Sequence, residues 1–214
     1  EMDYCDWSSD VCSSDLDAWS TRTEWLRGLD LVLFDPVGAT AERFEREGIP
    51  FTRLKTLGAF AGTNRIVIVG EGVDLAAQRT LPDLLRAVAR NNAVLCLGLR
   101  GGTMPAPQEP LAALFWRGGV VRELDKRLMG AGDWPAEVEA LGGWQWGARR
   151  EQVVWEWRND GWPWVELRWA GGGRLVYCGL GLLQKWDESP VPRYLLAAIL
   201  EDLKKDLEEQ AKEE

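Results

Sequence analysis

Short, fully apolar runs separated by glycine turns set the pattern of the first half of the chain. Leu31-Val32-Leu33-Phe34 runs into Asp35-Pro36-Val37-Gly38, which predicts a buried strand and a turn. Ala39 to Glu47 predicts a helix with Gly48 at its C-cap, and Phe51 to Leu54 a short strand. Arg65 to Val69 is the strongest strand signal and stops at Gly70-Glu71-Gly72. Thr80 is placed to cap a helix carrying Pro82 and Asp83 in its first turn, with Leu84, Leu85, Val88 and Ala89 as its apolar face. Asn91-Asn92 ends that helix. Ala93 to Leu97 is the next buried strand, followed by Gly98-Leu99-Arg100-Gly101-Gly102 and a proline-rich loop to Pro110.

Strands that are apolar throughout and alternate with helices predict a parallel sheet covered on both faces. The fold class expected is therefore α/β, an open, mainly parallel flavodoxin-like sheet flanked by helices. The second half alternates instead. Val153, Trp155 and Trp157 share one face of Gln152–Arg158, Asn159-Asp160-Gly161 is a hairpin signal, and Trp162–Trp169 is the partner strand. Gly171-Gly172-Gly173 then turns into Arg174–Leu180, giving a C-terminal antiparallel meander. Pro190 and Pro192 start a last helix with Leu196, Ile199, Leu200, Leu203 and Leu207 as its stripe, and residues 204–214 form a charged helical or frayed tail.

Composition changes this picture at the N-terminus. Asp6 to Leu16 matches a frame translation of a common sequencing adapter, and Glu1 to Cys5 fit its flank, so residues 1–16 are set aside and 17–203 are taken as one domain. On this reading the native start of the chain is unknown. The whole chain carries 34 acidic and 25 basic residues, net −9. Five of the acids lie in residues 1–16. Residues 201–214 carry seven acids and three bases, which leaves the body neutral at 22 against 22. Nothing basic points to a nucleic-acid partner, and no apolar run reaches the roughly 20 residues of a membrane span. The sequence contains no His, so neither a Ser-His-Asp nor a Cys-His arrangement can be completed within it, and no His can bind a metal.

Three strand ends could deliver a ligand site, because open α/β sheets bind ligands beyond the C-terminal ends of their strands. They place Asp35, Gly70, Glu71 and Arg100 together, with glycine-turn amides available to a small anion, sugar or flavin. The same glycines equally make tight turns, and both acids equally cap them. Twelve Trp lie beyond residue 16, eight of them between Trp134 and Trp169. Trp162 and Trp164 alternate with Val165 and Leu167 and could form an exposed platform for carbohydrate. The alternative is aromatic packing within the fold or against a neighbouring domain.

Val94-Leu95-Cys96-Leu97-Gly98 resembles the nucleophile turn of class I glutamine amidotransferases, and Ile66 to Gly72 resembles their oxyanion strand. Val94 stands where that family has Gly, and the His that would deprotonate the nucleophile is missing. Cys96 thus occupies a degenerate nucleophile position, and an unassisted thiol in an apolar strand is inert. Gly48-Ile49-Pro50-Phe51, Val121 to Leu128, Gly173 to Leu180 and Pro192 to Leu196 extend the likeness. Together they resemble the amidotransferase-like domain appended to bacterial glycoside hydrolases of the β-galactosidase type, family 2 and relatives. That resemblance implies a non-catalytic domain whose partners are the other domains of a larger enzyme, or a second copy. It implies no cofactor or metal. The compartment stays open, periplasmic or secreted included.

Overall fold

The computed structural model describes residues 23–78, 81–101, 103–105, 110–116, 142–149, 152–169, 172–188 and 191–213. The adapter-like segment, Thr80, Gly102, Val121 to Leu128, Gly171 and Pro190 lie outside the described residues.

A short helix α1 (Thr23–Arg27) leads into β1 (Leu31–Phe34), α2 (Ala39–Glu47) and β2 (Thr52–Leu54). Then come β3 (Ile66–Val69), a one-turn helix α3 (Leu75–Gln78), α4 (Leu81–Val88) and β4 (Ala93–Leu97). The remaining strands are β5 (Thr103–Pro105), β6 (Pro110–Trp116), β7 (Gly143–Arg149), β8 (Gln152–Arg158), β9 (Trp164–Trp169) and β10 (Arg174–Cys178), and α5 (Val191–Glu213) closes the chain. Among the described residues no helix is long and apolar enough to cross a membrane.

The main sheet has seven strands in the order β2-β1-β3-β4-β10-β9-β6. The first five are parallel, in a flavodoxin-like order with β10 as the fifth; β9 runs antiparallel to them, and β6, antiparallel to β9, runs their way again. Their residues alternate between two cores. Leu33, Ile68, Leu95, Val176 and Cys178 face one core, with Phe44 of α2 and Leu196 and Leu200 of α5. Val32, Val67, Val94, Cys96 and Tyr177 face the other, with Leu84 and Val88 of α4. Burial on both faces is what the unbroken apolar runs demanded. Gly48 ends α2 in the left-handed conformation, φ 66°, which glycine adopts without a Cβ clash. On α4, Ala87 rather than Ala89 joins Leu84 and Val88 in the core, because i, i+3 and i+4 share one helical face.

The antiparallel strands are shared between two sheets. β9 and β10 pair with each other in the main sheet, whereas β8 pairs with β7 and β5 in a separate three-stranded sheet. Asn159-Asp160-Gly161 therefore joins the two sheets and does not close a β8–β9 hairpin, so the expected continuous meander is replaced. The cause is local. A Cβ on Gly161 would collide with the Gly143 carbonyl, and in that close approach Trp144 and Trp162 exchange backbone hydrogen bonds of 3.2 and 3.0 Å. The chain then leaves along Pro163, which has no N–H to continue a ladder. Part of the expected proline-rich loop is strand: β5 and β6 each lie at a sheet edge, where a proline is tolerated. The final helix continues through residues 204–213.

Candidate functional site

β1, β3, β4 and β10 run the same way, so Asp35, Gly70-Glu71, Gly98 and Gly179 all emerge at one edge of the sheet. The strand order reverses between β1 and β3, the point where an open sheet of this type leaves its crevice. Asp35 and Glu71 stand on either side of that point.

Asp35 is 7% exposed and turned inward. Its Oδ1 accepts a hydrogen bond from the Gly38 amide and its Oδ2 one from the Ala41 amide, both 2.9 Å. These amides belong to the first turn of α2, the place where an anion would otherwise sit. Gly70 is glycine for a packing reason, since a Cβ there would lie 2.7 Å from the Asp35 carboxyl carbon. The Glu71 amide donates to Thr40 Oγ1 at 2.8 Å, tying the end of β3 to α2.

Glu71 itself is 6% exposed, and its Oε2 accepts the Leu183 amide at 3.1 Å. Burial holds its carboxyl above the usual glutamate range; the hydrogen bonds from Leu183 and Gln184 and the charge of Arg100 work in the opposite direction. The remaining turn amides are also used internally. Gly70 donates to Phe34 (2.9 Å), Gly72 to Gly98 (3.0 Å), Gly98 to Cys178 (2.8 Å) and Arg100 to Val73 (3.0 Å). Arg100 is exposed at the rim.

The segment after β10 covers this edge. Leu180, Leu182, Leu183 and Trp186 are all buried in the core shared with α2 and α5. Trp186 Nε1 donates to Glu47 at 3.0 Å. Arg43 donates twice to the Asp187 carboxylate, 2.9 and 2.8 Å, and lies 5.9 Å from the Trp186 ring centroid. Each buried side chain is worth about 1.5–3 kcal/mol, so the four together hold this strap with about 6–12 kcal/mol. The strap is thus part of the core and does not work as a lid.

Cys96 lies within β4, at 1% exposure, where burial pushes its thiol well up. Cys178 is wholly buried on the adjacent strand, its thiol pushed up to about 12. They face opposite cores and both are free. Neither has the exposed, electropositive setting that makes a thiolate. Among the described residues, no three or more His, Cys, Asp or Glu cluster to hold a metal.

The structure brings Asp35, Gly70, Glu71 and Arg100 to one edge; Trp162 and Trp164 stand further along that edge, where the Pro163 carbonyl between them accepts from Gly179 (2.6 Å), but not as an exposed platform. Trp164 is 2% exposed, packed in the core beneath α5, which corrects its expected place on an exposed platform. It does face away from Val165 and Leu167, but that side of the sheet is covered too. Trp162 is half-buried with Trp144, Trp155 and Tyr177, where the small sheet packs on the large one. Tyr177 organises that junction. Its hydroxyl donates to the Gly142 carbonyl (3.1 Å) and accepts from Trp157 Nε1 (3.3 Å), and its ring meets Trp144 edge-on at 6.0 Å.

A charge cluster that the strand pattern conceals joins β9, β10 and α5. Arg174, with a side chain only 7% exposed, pairs with Glu166 (2.8 Å) and Asp202 (2.7 Å). Arg168 pairs with Glu166 (3.0 Å) and Asp206 (2.8 Å). The signal available in the sequence was a pair of opposite charges at the starts and middles of neighbouring apolar strands.

No family model, curated protein or solved structure matches the chain.

Proposed function

We propose that the chain is a non-catalytic, amidotransferase-like accessory domain of a larger glycoside hydrolase, with a structural, interdomain role. The observation that carries the non-catalytic part is the filled switch point: Asp35 occupies the α2 amides and Leu183 occupies Glu71. A thiol buried within β4, in a chain without His, supports the same reading. The hydrolase context rests on the resemblance of the Gly48–Phe51, Arg65–Glu71 and Gly173–Leu180 stretches. With both faces of the main sheet covered, this domain is suited to act as a rigid body against its neighbours.

Two measurements test it. The purified chain incubated with glutamine is expected to release no ammonia; catalytic release would overturn the non-catalytic reading. The native gene is expected to continue upstream of Asp17 into a barrel domain with two acidic catalytic residues. A start codon directly before Asp17 would overturn the accessory role.

A further inference from the structure

We draw no further inference here: the strongest candidate, the open cleft of about 460 Å³ between the N-terminal edge of β1 and β3 and the last turns of α5, has a charged rim that is paired within itself, Asp30 with Arg65 and Lys204 with Glu208, and nothing in the structure shows what covers it.

Discussion

At the β1/β3 switch point, buried carboxylates are held by neutral groups: Asp35 by the Gly38 and Ala41 amides, Glu71 by the Leu183 amide. Beneath α5, two buried charges, Arg174 and Glu166, are held by each other and by the less buried Arg168 and Asp202, with Asp206 bonded to Arg168. The two arrangements respond differently to the loss of a charge. An amide-held carboxylate can be neutralised without stranding a partner. Removing one member of the charge-held cluster leaves a buried counter-ion with one partner fewer, which is the costlier outcome.

Substitutions separate the two regions. Arg174→Ala is expected to have the largest effect, a loss approaching about 3–5 kcal/mol, because Glu166 stays buried with only the partly exposed Arg168 to pair with. Urea unfolding measures it, and a loss below about 1 kcal/mol would show that α5 does not depend on the cluster. Leu182→Ala comes next, at about 2–5 kcal/mol, because Leu182 is fully buried in the strap. A near-neutral result would mean that the strap is detachable after all.

Glu71→Gln should change stability in the favourable direction. A carboxyl raised in the folded state contributes stability at low pH and loses it as pH rises through its folded value. The wild-type protein should therefore become less stable across that rise. The Gln variant keeps an acceptor for Leu183 and should be flatter there, and at least as stable at neutral pH. Unfolding curves from acid to neutral pH decide this, and a variant weaker than wild type at neutral pH would refute it. The smallest effect is expected at Asp187→Asn. Its pair with Arg43 is exposed to solvent, and the same unfolding assay should detect no change.

The parallel half was legible because its strands carry their evidence within themselves. Four or five apolar residues in a row, stopped by glycine and too short for a helix, point to a strand buried on both sides, as with Ile66–Val69 and Ala93–Leu97. The antiparallel half carries less. Alternation in Gln152–Arg158 and Trp164–Trp169 gives strand and face, but pairing is decided by the contact between Gly143 and Gly161, 18 residues apart in the chain. One further assumption misplaced Trp164 and hid the charge cluster. In an alternating strand the second face is ordinarily the wet one, and Trp164 and Glu166 both occupy it in β9. Here α5 returns over that face, and a distant helix leaves no mark on local periodicity. Asp35, Gly70 and Glu71 were found as neighbours because strand ends converge by topology. That Glu71 is occupied by the chain's own Leu183 amide depends on the strap after β10, which local pattern does not place.

Asp35 reaches the Gly38 amide across three residues, and this has a meaning in terms of competition. A group on so short a tether presents itself at a local concentration at or above the millimolar range of short flexible linkers. A phosphate or carboxylate from solution has to outcompete a rival that never diffuses away. The Gly38 and Ala41 amides of α2 therefore have a ligand encoded in the chain, inherited with a single codon.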